Sequence, residues 1–137
     1  MGSPYSNEEL AGIYELGRMY FELGYFAPAE RIFNGLVVVD EGRTPARLGL
    51  GLLKLERGLY QEAGTHFRSV LESKSYEVQA KLGLCAAFVA AGDLVRAKSI
   101  LDELAKTLER NPGTEPEVRR LFQAYVARCR AEVAQPS

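Results

Sequence analysis

The sequence is short of the residue types that carry most covalent and metal chemistry. Among its 137 residues there are two cysteines, Cys85 and Cys129, and a single histidine, His66. Two cysteines far apart in the chain cannot build a disulfide scaffold, and they lack the close-spaced pairing of a zinc site. Both fall within amphipathic helical patterns and are expected to be buried free thiols, which suits a reducing, cytoplasmic location. With one histidine, no second candidate exists to complete a Ser-His-Asp or Cys-His arrangement. His66 is expected to be a partly exposed structural residue on a helix. No apolar run approaches the roughly 18–20 residues needed to span a bilayer. The opening Met1-Gly2-Ser3-Pro4 lacks the basic and apolar regions of a signal peptide. Residues 1–5 are expected to be disordered or left over from expression. A net charge of −1 provides no basic field for nucleic acid or anionic lipid. The carboxylates (Glu8/Glu9, Glu30, Glu62, Asp102/Glu103, Glu115/Glu117) are scattered along helices as solvated faces and caps, not as a paired acid and base. No enzyme, cofactor or metal is expected.

What the sequence does have is a period. Apolar residues make up 47% and charged residues 26%, ordinary values for a single globular domain. Within that composition, Gly58-Leu-Tyr-Gln-Glu-Ala63-Gly-Thr-His-Phe67 lies 34 residues after Gly24-Tyr-Phe-Ala-Pro-Ala29-Glu-Arg-Ile-Phe33. The same interval leads on to Gly92-Asp-Leu-Val-Arg-Ala97-Lys-Ser-Ile-Leu101. Glycine, alanine and a large apolar residue recur at the same three places without insertions. A fixed period of this length marks a repeat architecture.

The local signals are helical throughout. Ser6-Asn-Glu-Glu9 forms a capping box ahead of Leu10, Ile13, Tyr14, Leu16, Gly17, Tyr20 and Phe21, a 3.6-residue pattern. Gly24 should end that helix, and Pro28 fits the first turn of the next. Val37-Val38-Val39 has strand propensity, but the repeat register puts it in the last turn of the second helix. Gly42 and Pro45 bracket the following loop. Further helices are predicted from Ala46 to about Arg57, Tyr60 to Glu72, Tyr76 to Ala91 and Leu94 to about Arg110. Asn111-Pro-Gly113 is a stop, and Thr114-Glu-Pro116-Glu117 offers a second capping box. The final helix carries Val118, Leu121, Phe122, Tyr125, Val126 and Cys129 on one face, with Arg119, Arg120, Arg128 and Arg130 mostly on the other. The expected fold is an all-α solenoid of three helix-turn-helix repeats (approximately 10–41, 44–75 and 78–110) plus a C-terminal capping helix over 115–134, together one domain over 6–134.

The repeat resembles the tetratricopeptide repeat, whose signature places Leu-Gly-x-x-Tyr in the first helix and Ala-x-x-x-Phe in the second. The first unit has both, as Leu16-Gly17-x-x-Tyr20 and Ala29-x-x-x-Phe33. The second has Leu50-Gly51 with Lys54 in the tyrosine place, then Ala63-x-x-x-Phe67. The third has Leu84-Cys85-x-x-Phe88 and Ala97-x-x-x-Leu101. Ile13, Arg47 and Lys81 stand where the signature has tryptophan. The small residues Gly17, Gly51 and Cys85 are expected where the two helices of a unit come closest, facing Ala29, Ala63 and Ala97. Within this likeness, Tyr25 to Leu36 followed by Leu48-Gly49-Leu50-Gly51 is similar to the SycD/LcrH group of type III secretion chaperones. Leu84-Cys85-Ala86-Ala87 and Gly92-Asp93-Leu94-x-x-Ala97 are similar to the third repeat of that group.

The resemblance implies that first helices line a concave groove and second helices form the outer wall. The groove residues are then Tyr14, Arg18 and Phe21, Leu48, Leu52 and Leu55, and Leu82, Ala86 and Val89. Repeat domains that clamp an acidic C-terminal tail use lysine, asparagine and arginine here, and only Arg18 could contribute to such a clamp. The helices carrying Leu48 and Leu82 are apolar almost all round, so some of that surface must meet the C-terminal helix, another subunit or a ligand. The resemblance implies a cytoplasmic, non-enzymatic chaperone holding an extended apolar segment of a secreted subunit, with a homodimer allowed. A general scaffold or adaptor in another bacterial assembly is the alternative.

Overall fold

The computed structural model describes residues 5–39 and 43–134; the expectations for residues 1–4 and for Gly42 lie outside them. The element order is α1 (Asn7–Glu22), α2 (Phe26–Val37), α3 (Arg43–Glu56), α4 (Tyr60–Val70), α5 (Glu77–Ala90), α6 (Leu94–Arg110) and α7 (Pro116–Ala134). A short 3₁₀ turn at Lys74–Tyr76 leads into α5. There is no strand among the described residues, and Val37 and Val38 are the last residue and C-cap of α2.

The helix ends follow from capping chemistry. Ser6 Oγ accepts from the Glu9 amide at 3.1 Å, and Glu9 Oε1 accepts from the Ser6 amide at 3.1 Å. Gly24, Gly58 and Gly92 adopt φ of 84°, 77° and 80°, the left-handed conformation that a residue without Cβ takes at low cost. Each closes the first helix of a unit with the same pair of bonds. Gly24 donates to Phe21 and Tyr25 to Tyr20; Gly58 donates to Leu55 and Leu59 to Lys54; Gly92 donates to Val89 and Asp93 to Phe88. The tight turn between paired helices is therefore reproduced three times. Two boundaries differ from expectation. Pro45 lies inside the first turn of α3 rather than in the loop, where a missing amide is harmless. Thr114 forms no capping box: its hydroxyl donates back to the Asn111 carbonyl at 2.7 Å, bracing the loop, and the helix starts at Pro116.

The units stack with α1, α3, α5 and α7 side by side, and α3, α5 and α7 each also pack on the second helix before them. The aromatic rings of the second helices hold this row together. Phe33 and Phe67 are almost wholly buried. A Cβ at Gly17 would lie 2.7 Å from the Phe33 ring, and one at Gly49 also 2.7 Å from it. A Cβ at Gly51 would stand 2.6 Å from Phe67, and one at Gly83 2.5 Å. Each ring is thus clasped between a glycine of its own unit and a glycine of the next. In the third unit Cys85 takes the glycine place and Leu101 the phenylalanine place, a larger residue opposite a smaller one within one buried cluster. The glycines therefore face these rings, while Ala29, Ala63 and Ala97 are fully buried beside them.

Glycines in this fold divide sharply by surroundings. Gly83→Ala should destabilise by about 1–3 kcal/mol, because the Phe67 ring has nowhere to retreat. Gly12, inside α1 with open space where a Cβ would stand, should gain about 0.5–1 kcal/mol on mutation to alanine. Urea denaturation of the two variants reads both signs; a Gly83→Ala protein as stable as wild type would contradict the packing.

Candidate peptide-binding groove

Successive first helices touch one another, whereas contacts between successive second helices are sparse. The first-helix side is therefore the inner side of the stack. Along it, Arg18, Leu52 and Ala86 recur at the 34-residue period. Arg18 is exposed, Leu52 is 38% exposed and Ala86 is half-buried. Tyr14, Phe21 and Leu55, all half-buried, flank them.

The other three expected groove residues are buried. Leu48 is buried with Phe67, Ala80 and Leu84. Leu82 joins Leu104 and Leu108, with Val118, Phe122 and Tyr125 of α7 packed against them. Val89 shares a cluster with Cys85, Leu101 and Cys129. The apolar excess of α3 and α5 thus divides. Part of it meets the next first helix, α7 meets the end of the stack, and the remainder faces the open strip.

At one end of the strip the Tyr14 ring packs against Phe33 with centroids 5.8 Å apart. Burial raises the Tyr14 pKa above the ordinary phenol value; Arg18 opposes the rise, and Tyr76 and Glu15 add to it. Tyr76 comes from the turn before α5, outside the first-helix positions from which the groove was read. Phe21 packs against Phe26 at 5.6 Å. Arg18 donates to Glu22 at 3.1 Å, but both side chains are more than half exposed, and such a pair contributes little. The guanidinium remains able to reach a carbonyl or carboxylate.

The cation at the signature's tyrosine place does structural work. Lys54 stands 3.6 Å from Glu30 of α2 and 3.3 Å from Glu62 of α4, and Arg57 lies 2.7 Å from Glu30. In the third unit Lys81 donates to Glu77 at 3.0 Å and to the fully buried Thr107 hydroxyl at 2.9 Å. The Lys54 ion pairs and the Lys81–Thr107 hydrogen bond tie first helices to second helices where the signature has aromatic residues. His66 is half-buried with Nδ1 enclosed. Its pKa is lowered, first by burial and then by Arg47 and Lys54. Cys85 and Cys129 are buried free thiols in one cluster, and burial, with Cys129 nearby, pushes Cys85 up to about 12. Among the described residues no group of His, Cys, Asp and Glu could hold a metal, and no helix is long and apolar enough to cross a membrane.

The tetratricopeptide-repeat profile matches residues 54–121. No curated protein sequence matches the chain significantly. Among solved structures, the Yersinia enterocolitica type III secretion translocator chaperone SycD superposes with a TM-score of 0.79 at 22% identity, over 97% of this chain and 100% of that one. PcrH of Pseudomonas aeruginosa, in complex with the chaperone binding region of PopD, matches with a TM-score of 0.78 at 23% identity, over 98% of both chains. PcrH bound to the chaperone binding region of PopB matches at 0.75 and 22%, over 90% of this chain and 97% of that one.

The lowered His66 pKa gives a pH test. The unfolded chain takes up a proton near the ordinary histidine value of 6.5 while the folded chain resists it, so stability is lost as pH falls through that value. Glu77, whose pKa is held below its ordinary 4.5 by its bond to Lys81, acts in a separate, more acidic window. Melting temperatures between pH 7.5 and 5.5 should fall for the wild type and flatten for His66→Gln; equal slopes would show that His66 is freely solvated. With first helices in an inner row, second helices outside and a half-repeat closing the end, the chain has a tetratricopeptide-repeat-like solenoid fold, the fold seen in SycD and PcrH.

Proposed function

We propose that the protein is a non-enzymatic holding chaperone that acts in the cytosol, its inner face taking an extended apolar segment of a subunit destined for type III export. The observation that carries this reading is the open strip of Arg18, Leu52 and Ala86, walled by Tyr14, Phe21 and Leu55. It is apolar along most of its length and has one cation at its end. PcrH, solved with segments of PopD and PopB, shares the fold and supports the assignment. Burying one leucine-sized side chain contributes roughly 1.5–3 kcal/mol. Two or three such anchors reach about micromolar affinity after the cost of ordering the segment. The strip offers no paired acid and base: its polar groups are the Tyr14 phenol and the Arg18 guanidinium with its partner Glu22.

Leu48, Leu82 and Val89 belong to the support of the strip, so aspartate there would damage the fold rather than test binding. Leu52→Asp with Ala86→Asp leaves the buried clusters alone. In pull-downs from the source cells, the wild type should retain an apolar secreted subunit. The double variant should lose it at an unchanged melting temperature, and an outer-wall pair, Gln61→Lys with Ser99→Lys, should keep it. Loss on the outer wall alone, or capture only of components that are never exported, would replace the chaperone with a scaffold.

A further inference from the structure

The N-terminal end of the stack carries an apolar face in the open. Leu16 and Met19 of α1 and its C-cap Leu23 are 41%, 46% and 62% exposed. Gly12 continues the line, with open space where a Cβ would stand. In later units the same register positions are core. Ala46, Leu50 and Leu53 of α3 are buried in one cluster with Ala29, Phe33 and Leu36 of the preceding unit. Ala80 and Leu84 of α5 are likewise buried with Ala63, Phe67 and Val70. α1 keeps the apolar side chains although no helix precedes it among the described residues. The end of a stack is normally closed by a polar face, and this one is not. A further repeat does not fit there. Gly49 and Gly83, which receive the preceding unit's ring, have Glu15 as their counterpart in α1. A carboxylate side chain stands where the clasp needs bare backbone.

The exposed side of α1 has instead the order of one helix of a coiled coil. Gly12, Leu16, Met19 and Leu23 follow one another by four, three and four residues, the spacing of d and a positions in a heptad. In that frame Glu8, Glu15 and Glu22 all fall at g, and all three are exposed. The e edge is Ile13 and Tyr20, which pack against the core of the first unit. Side chains at e and g decide which helix pairs with which. A second α1 brings no cation to this row. Antiparallel, glutamate would face glutamate; parallel, it would face Ile13 and Tyr20. Arg18, the single cation of α1, lies off the seam and already pairs with Glu22. We infer that the outer face of α1 docks an amphipathic helix of a partner protein, with leucine-like residues along its seam and lysine or arginine along the edge that meets Glu8, Glu15 and Glu22. The seam is about three turns long, so the charged row contributes to the choice of partner as well as the apolar contact. It stands on the opposite side of α1 from Tyr14 and Phe21, so the inner strip stays open while this face is occupied.

The test uses the full chain and two synthetic, fluorescein-labelled three-heptad peptides with leucine at a and d. One has lysine at e and g, the other glutamate. Anisotropy at low salt should show saturable binding of the lysine peptide with a Kd of roughly 10–100 µM. The glutamate peptide should bind at least about tenfold more weakly. Met19→Asp should weaken the lysine peptide at least about tenfold although it adds a negative charge, which separates docking on the seam from bulk attraction. Leu23→Asp serves the same purpose if Met19→Asp unfolds. Glu8→Lys with Glu15→Lys should reverse the preference between the two peptides. Leu52→Asp should leave both affinities unchanged, which keeps this site apart from the inner strip. Absence of binding, equal binding of the two peptides, or binding lost with Leu52→Asp and kept by Met19→Asp overturns the proposal. So does a wild-type dimer in sedimentation that Met19→Asp dissolves, because the occupant would then be a second copy of the chain.

Discussion

The structure depends on an aromatic ring held between two glycines. Phe33 and Phe67 each reach from a second helix into the gap between successive first helices, and a glycine of each of those helices closes on the ring. The contact fixes the distance between neighbouring first helices and so sets the repeat. It also has a directional consequence. Two nearly opposite sides of the first helices are committed to the rings, as Gly49 and Gly51 of α3 show by meeting Phe33 and Phe67 from positions about 200° apart, and the arc between them is left free. Arg18, Leu52 and Ala86 lie on that free arc. The inner strip exists because the stacking contacts are concentrated elsewhere on each helix.

Features set by a few neighbouring residues were legible in the sequence. The Ser6–Glu9 capping box, the left-handed Gly24 and the bounds of α6 all follow from local chemistry, and the period supplied the stack. Contacts between units were harder to see. Gly17 and Gly51 stood out because the signature includes them, but Gly49 and Gly83 mattered only once the preceding unit's phenylalanine was in place. Leu48, Leu82 and Val89 share a helical face with open groove residues, yet the next first helix and α7 turn their surroundings into core. A helical wheel shows which residues align, not which neighbour arrives. Thr114 had the right spacing for a cap, but the Asn111 carbonyl lay close enough to take its hydroxyl first.

Repeats one and two keep the glycine–phenylalanine clasp, and repeat three replaces both partners. Cys85 with Leu101 preserves the gap by exchanging volume between the two sides, the way a packed interior tolerates change. Polar substitutions follow a similar rule. Lys54 and Lys81 stand at places where the signature has aromatics, and each is held by carboxylates or a hydroxyl from adjacent helices.

A double-mutant cycle at the clasp tests this account most directly. Phe67→Leu should create room in the second unit similar to that in the third, where leucine faces the bulkier Cys85. Gly83→Ala should then cost much less in the Phe67→Leu background than in the wild type, with a coupling of about 1 kcal/mol or more between the two changes. Additive free energies from urea denaturation would mean that the ring does not set the spacing of the first helices, and the origin of the inner strip would have to be sought elsewhere.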